Sequence, residues 1–371
     1  MRVCVITSPF CALPPDAIGA IERRWFNTVS CFAEKGHVVQ LIGKRDKTVL
    51  PSEPAVRRDY VPGFNRTGSV YGDIVLDFFY SLQALWRMKT CDILVSNTFW
   101  GPILAPLLFR RKYGKLVYNV ARFPKGHLKL YKGVDLFACT SKAVASALKK
   151  IVPMFSQRIC VVSNPVEIAP VEGVARQEFL IGYHGRVHGE KGLDILAGAI
   201  ALLAKEYPAV RMKVIGPWEV GKGGSGEVYK TKIDELSGGR CDWMGSISDR
   251  GKLAAELQTC SAYCYPSVAE KGETFGVSPL EAMALGLPTV VSGLECFEDF
   301  VRDGENGLVF DHRAPDPVGA LVVQLRRLLK DSTFAAQLGT AAAKTAKDFS
   351  TEIIAERWLE KFNKVLKGEW R

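Results

Sequence analysis

The sequence predicts an α/β protein made of two doubly wound domains, and three observations predict it. The chain has 371 residues, more than one ordinary hydrophobic core holds together. Short apolar runs of strand length alternate with helical patterns from end to end, the signature of parallel sheets covered by helices. The alternation lapses once, at 164–177, where two prolines and a glycine interrupt it, and then restarts.

In the first half, strands are predicted at 2–8, 37–42, 92–96, 115–120, 134–140 and 159–163. Helices are predicted at 21–35, with Ile21, Trp25, Val29 and Phe32 on one face, at 73–88 and at 141–150. The apolar stretch 100–109 is broken by Gly101, Pro102 and Pro106 and is left without an element. After the linker, strands are predicted at 179–183, 210–215, 241–244, 262–265 and 289–291. Helices are predicted at 193–206, 228–236, 252–258 and 278–285, and the tail from 317 onward reads as helical. The result is two Rossmann-like domains, with a ligand cleft expected between them at the carboxyl ends of the strands.

Composition narrows the classes. With 47% hydrophobic and 24% charged residues the chain is globular. Its net charge of +10 suits an anionic partner: nucleotide, phospholipid head group, nucleic acid or acidic sugar. A nucleic-acid binder ranks low, because there is no aromatic-basic stacking run and no zinc motif. The ten cysteines form no C-x-x-C and lie mostly inside apolar runs, so they read as buried thiols of a reducing compartment. Residues 3–6 lead straight into a strand rather than a signal peptide, and no run reaches the ~20 apolar residues of a membrane span. A cytoplasmic protein is expected. The basic clusters Arg110-Arg111-Lys112 and Lys149-Lys150 leave peripheral contact with an anionic membrane open, although a solvated face is the favoured account of both.

The loops that follow strands carry the chemistry. In Pro14-Pro15-Asp16-Ala17-Ile18-Gly19-Ala20, the small residues Gly19 and Ala20 would let backbone N–H groups approach a phosphate; a plain βα turn fits as well. In Gly185-Arg186-Val187-His188-Gly189-Glu190-Lys191-Gly192, two cations sit on a glycine-flanked loop. Arg186 can grip a diphosphate bidentately and Lys191 adds a point charge, while a solvated basic loop remains the alternative. Gly216 to Gly223 nearly spells a P-loop, but Gly223 occupies the Ser/Thr position that would hold magnesium. We read this stretch as a decoy whose Gly216 can still line the site. No Asp-x-Asp is available to hold a metal on a diphosphate.

The stretch Glu273-Thr-Phe-Gly-Val-Ser-Pro-Leu-Glu281 organises the rest. Two carboxylates flank an uncharged hinge that leads into a helix, with Ser278 as the expected N-cap and Pro279 at the first helical position. Taken alone, Ser278 and Glu281 fit a capping box that serves only its own helix. A helix start on a glycine hinge also favours an anion.

Together these residues resemble the retaining GT-B glycosyltransferases of family four. The resemblance rests on Gly185-Arg186 with Lys191-Gly192, Pro266-Ser267, the Glu273/Glu281 pair with Ala282-Met283-Ala284 and Gly286-x-Pro288, and Asp303-Gly304-Glu305-Asn306-Gly307-Leu308. Gly19-Ala20-Ile21-Glu22 is similar to that family's N-terminal loop, Val162 to Val166 to its linker, and 350–371 to a final helix that crosses back to the first domain. The resemblance implies an N-terminal acceptor domain, 1–165 with the returning helix 350–371, and a sugar-nucleotide domain, 166–349. It implies that Glu281 holds ribose hydroxyls, that Glu273 contacts the donor sugar, and that the backbone at Phe275, Gly276 and Val277 binds sugar or phosphate. Arg186 and Lys191 would neutralise the diphosphate and Ile247 would touch the base. Many family members place a His after the strand corresponding to 115–120. Here Arg122 or His127 stands in that region as the acceptor-side candidate.

The expected activity is therefore hexosyl transfer, with retention and without metal or cofactor, from a nucleotide sugar to a saccharide or lipid-linked saccharide. UDP-glucose is the first donor expected and GDP-mannose the second. A non-catalytic nucleotide-binding protein is the alternative of a different class.

Overall fold

A computed structural model describes residues 1–13, 20–45 and 56–370. The chain divides into two compact units, Met1–Pro165 with Thr351–Arg371, and Val166–Ser350.

The first unit is built on a parallel sheet. Its strands are β1 (Arg2–Ile6), β2 (Ala12–Leu13), β3 (Val38–Arg45), β4 (Val56–Val61), β5 (Cys91–Ser96), β6 (Tyr113–Val120), β7 (Leu136–Cys139) and β8 (Ile159–Val161). They lie in the order β2-β3-β1-β5-β6-β7-β8, with β4 also paired to β3. The order reverses between β1 and β5, the position at which open α/β sheets bind ligands. Four of the five residues of β1 and five of the six of β5 are buried, as strands covered on both faces must be. The helices are α1 (Ala20–Glu34), α2 (Val70–Arg87), α3 (Gly101–Leu108) and α4 (Lys142–Ile151).

Helix α3 falls on the stretch left unassigned from sequence. Pro102 sits at its first turn, where the missing N–H costs nothing, and Pro106 removes one bond from a helix only eight residues long. Helix α2 starts at Val70, three residues before the expected 73, because Ser69 caps it by accepting the Gly72 N–H, and Ser141 caps α4 in the same way.

The second unit repeats the plan. Its strands are β9 (Gln177–His184), β10 (Arg211–Ile215), β11 (Cys241–Gly245), β12 (Cys260–Tyr265), β13 (Thr289–Ser292) and β14 (Leu308–Phe310), in the order β11-β10-β9-β12-β13-β14, all parallel. The switch point lies between β9 and β12. The helices are α5 (Leu193–Leu203), α6 (Glu227–Leu236), α7 (Arg250–Gln258), α8 (Val277–Ala284), α9 (Pro317–Lys330) and α10 (Ser332–Lys347).

At the carboxyl edge of this sheet three strand ends are stitched together: Gly185 N–H donates to the Ile215 carbonyl at 2.9 Å, and Gly216 N–H to the Gly245 carbonyl at 2.8 Å. A Cβ on Gly216 would stand 1.8 Å from the Gly185 oxygen, and its φ of +154° is one that side chains rarely adopt. Gly216→Ala is therefore expected to lose about 2–3 kcal/mol of stability through overpacking, read as a lower urea midpoint with an unchanged slope.

After α10 the chain returns to the first unit as α11 (Thr351–Leu366). It buries Ile354, Trp358, Phe362 and Val365, a 3.6-residue stripe. Trp358 packs on Trp25 of α1 at 4.9 Å between ring centres and Phe362 on Phe32 at 5.9 Å. No disulfide joins the ten cysteines, nine of which are buried.

Candidate active site

The loop after β9 brings one predicted cation to one predicted carboxylate. Lys191 ends the short turn Gly189–Lys191, and Gly192 in the left-handed region then opens α5. The Lys191 Nζ lies 2.7 Å from Glu273 Oε2, with the two side chains only 7% and 12% exposed. The hydroxyls of Tyr265 and Ser267 donate to the same oxygen at 3.1 and 3.4 Å. Arg186, the other cation, is more exposed. Its guanidinium donates to Glu190 Oε1 at 2.7 Å and to the Gly223 carbonyl at 3.0 Å, so the P-loop-like stretch serves as its backbone support.

Glu281 corrects two expectations. Helix α8 starts at Val277, and its N-cap is Gly276 at φ +85°, not Ser278; no side chain caps it. Ser278 and Pro279 thus lie inside the first turn. Only glycine serves at the hinge, because its φ is positive and a Cβ there would strike the Phe297 ring at 2.4 Å. Glu281 in turn makes no capping box. Its Oε2 accepts from His184 Nε2 at 2.7 Å and its Oε1 from the Arg250 guanidinium, in a nearly buried setting. Burial pushes its carboxyl upward, but the His184 hydrogen bond and the Arg250 charge outweigh that and hold it below the usual range. Each carboxylate oxygen still has one acceptor site left, which is what a vicinal diol needs.

His184 and Arg250 were missed from sequence. The one available signal was a polar residue closing the apolar strand β9. Arg250 is the first residue of a helix capped by Asp249 and carries no motif.

The remaining predicted residues are placed as follows. Gly19 lies outside the described residues, and Ala20 is the first residue of α1. Glu22, two residues on, accepts from the backbone and hydroxyl of Ser8 at the end of β1. Gly185 and Gly216 form the stitched strand edge. Ile247 is half-buried in the loop after β11. Phe275 turns its ring into the core against Phe300 and Phe349, leaving only its backbone for a ligand, while Gly276 and Val277 form the start of α8. Lys191, Glu273 and Glu281 all follow the two strands that flank the switch point. Among the described residues no group of three His, Cys, Asp or Glu side chains could hold a metal ion.

Arg122 and His127 lie in the first unit, where both line a cavity of about 360 Å³ at the carboxyl ends of β1, β5 and β6. Phe10, Phe99 and Tyr118 give it aromatic walls, and its charged lining is of both signs, Arg66, Arg122 and Lys125 with Asp73 and Asp77. The guanidiniums of Arg66 and Arg122 stand 4.3 and 5.8 Å from the centre of the Phe10 ring. Burial, with Lys125 nearby, holds His127 below its ordinary pKa.

Residues 167–345 match the family model described as Glycosyl transferases group 1. These residues are a Glycosyl transferases group 1 domain. The group 1 domain thus coincides with the unit that carries Lys191, Glu273 and Glu281. Sequence relatives include the phosphatidyl-myo-inositol mannosyltransferase of Mycobacterium tuberculosis, 25% identical over 53% of this chain and 50% of that one. The D-inositol 3-phosphate glycosyltransferase of Nocardioides sp. is 26% identical over 52% and 43%. The matches therefore span about half of this chain and half or less of each relative. Among solved structures, sucrose-phosphate synthase from Thermosynechococcus elongatus superposes with a TM-score of 0.79 at 17% identity, covering 99% of this chain and all of that one. Anabaena HepE, solved with UDP and glucose, superposes with a TM-score of 0.73 at 18% identity over 98% of this chain and all of its own. The group 1 domain and the unit that precedes it have the GT-B glycosyltransferase fold.

Proposed function

We propose that this protein is a glycosyltransferase that moves a hexose from a nucleoside-diphosphate sugar to a lipid-linked or saccharide acceptor, with retention of configuration and without a metal ion. The observation that carries the reading is the fixed Glu281 carboxylate together with the Lys191–Glu273 pair, all following the two strands that flank the switch point of the group 1 domain. Glu281 has the spare acceptor sites for the two ribose hydroxyls. Lys191, Arg186 and the uncapped start of α8 face the negative charge that grows on the diphosphate as its bond to the anomeric carbon breaks. Lys191 and the helix start act on the transition state more than on the bound donor, because the charge is not yet developed in the ground state, whereas the half-exposed Arg186 holds the diphosphate in both states. The electron pair of that bond leaves with the diphosphate, the acceptor oxygen adds to the anomeric carbon from the same face, and its proton passes to the departing phosphate oxygen. The cavity of the first unit, with aromatic walls and charged groups of both signs, suits a saccharide acceptor.

For the sugar, the names of the sequence relatives favour a mannosyl donor. We therefore place GDP-mannose ahead of UDP-glucose, which the fold neighbours alone cannot support at their low identity. A thermal-shift series with UDP, GDP and ADP, followed by the sugar forms of whichever works, tests this directly. The matching diphosphate at saturating concentration raises the melting temperature by about 5 °C. No response to any nucleotide sinks the reading, and a response without sugar release leaves a binding module. A chelator leaves transfer intact; loss that magnesium restores would overturn the metal-free mechanism.

A further inference from the structure

Helix α2 has an unusual outer face. Tyr71, Val75, Leu76, Phe79 and Trp86 follow one another along it at helical spacing, and Tyr71, Phe79 and Trp86 are 84%, 54% and 73% exposed. Isolated exposed apolar residues need no explanation, but a continuous row with two large amphipathic aromatics does.

The charges around this row are one-sided. The exposed positions of α2 hold no carboxylate. Its two acids are turned elsewhere: Asp77 is buried and accepts the backbone N–H groups of Phe99 and Trp100, and Asp73 is held by Thr67 and Arg66. The cations gather at the other end. Lys112 Nζ donates to the Trp86 carbonyl at 2.8 Å and the Met88 carbonyl at 3.1 Å, closing the carboxyl end of α2. That bond holds the turn Arg110–Lys112 to the carboxyl end of α2, so Arg87, Lys89, Arg110 and Arg111 belong to one end of the helix, with the Arg87 guanidinium donating to the Tyr60 carbonyl and that of Arg110 to the Tyr113 carbonyl. Leu107 and Leu108, 73% and 61% exposed, lead into the same turn from α3, which packs on α2 through Trp100 against Phe78 and the Ile74 carbonyl.

We propose that the outer face of α2, with the turn 107–112, docks on an anionic phospholipid surface. A helix with this pattern lies in the head-group layer, with its apolar row in the acyl boundary and its cations at the phosphates. Trp and Tyr prefer that interface. No helix among the described residues is long and apolar enough to cross a membrane, which agrees with lying on one. A second copy of the chain is the poorer occupant, because its matching face carries the same cations and no exposed carboxylate to pair with them. The opposite side of the same helix contributes Val70, Asp73, Ile74 and Asp77 to the 360 Å³ cavity, so docking sets the cavity beside the lipid. An acceptor anchored in that surface would reach the cavity along α2. The acceptor step rests on the proposed function; the docking itself does not.

Co-sedimentation of the full chain with vesicles tests the docking, using phosphatidylcholine alone and phosphatidylcholine mixed with phosphatidylglycerol, without any donor. The wild type sediments with the mixed vesicles and stays largely in solution with neutral ones. The double variant Phe79→Ser, Trp86→Ser lowers binding at least about tenfold. Arg110→Glu with Arg111→Glu removes the salt-sensitive part, and Val228→Ser, an exposed valine of the second unit, changes nothing. The substituted residues are exposed, Arg110→Glu also gives up a bond to the Tyr113 carbonyl, and circular dichroism checks that each variant is folded. Wild-type protein that ignores mixed vesicles overturns the proposal, as does a double variant that binds like wild type. A wild-type dimer that the double variant turns into a monomer assigns the face to self-association instead. Vesicle binding that persists while nucleotide response is absent counts against the reaction and leaves the docking standing.

Discussion

Glu281→Ala abolishes measurable donor binding and lowers the melting temperature, the largest joint effect expected of any single substitution here. Two charge-assisted hydrogen bonds to ribose hydroxyls disappear, which at about 1.5 kcal/mol each raises the dissociation constant of the nucleotide at least about 100-fold. The same change leaves His184 buried without its carboxylate and Arg250 without its partner. Breaking a buried pair in this way costs about 3 kcal/mol, or roughly 6–12 °C for a unit of this size. The pH dependence separates this from a generic loss of packing. The folded carboxyl is held below its ordinary range, so its contribution is fully present above that range and fades as pH falls through the folded value. The gap in melting temperature between wild type and variant should therefore be wide at neutral pH and close in acid. A gap that does not change with pH would show that Glu281 acts as filler and not as an ionised anchor.

Lys191→Ala is the second large effect, and it falls on the chemical step. The ammonium is almost fully desolvated, where a charge acts far more strongly on a developing anion than it does in water. We expect kcat to fall by about 10²–10³, with kcat/KM falling in parallel, the pattern of an interaction made mainly in the transition state. Arg186 provides the internal comparison. Its side chain is 47% exposed and already shared with Glu190, so Arg186→Ala should raise KM about tenfold and leave kcat within a few-fold. Equal, modest losses in the two variants would mean that the diphosphate is not received at Lys191.

Most of the architecture could be read from the chain because each unit is a parallel sheet. Strands buried on both faces, such as β1, β5, β12 and β13, show themselves as short, mostly apolar runs. Strand β4 could not be read in this way: as Val-Arg-Arg-Asp-Tyr-Val it looks like a polar turn, and only its pairing with β3 makes it a strand. Helix α3 was hidden by its two prolines. In the site, Lys191, Glu273 and Glu281 stood out because loop cations and hinge carboxylates are local signals. The partners of Glu281 are not local. His184 is 97 residues away and Arg250 is 31, and no spacing rule encodes a contact made by sheet order. The N-cap was misplaced for a related reason. Ser278 is the better cap by residue preference, but a left-handed glycine two positions earlier had already turned the chain.

Helix α11 has a consequence for how the protein is born. When residue 165 leaves the ribosome, every strand of the first sheet has been made, yet the helix that covers Trp25 and Phe32 has not. The second unit, by contrast, lies on one unbroken segment and can close as soon as it emerges. Synthesis therefore runs opposite to maturation, with the half made first completed last. During that interval the nascent chain carries an uncovered aromatic seam at Trp25 and Phe32.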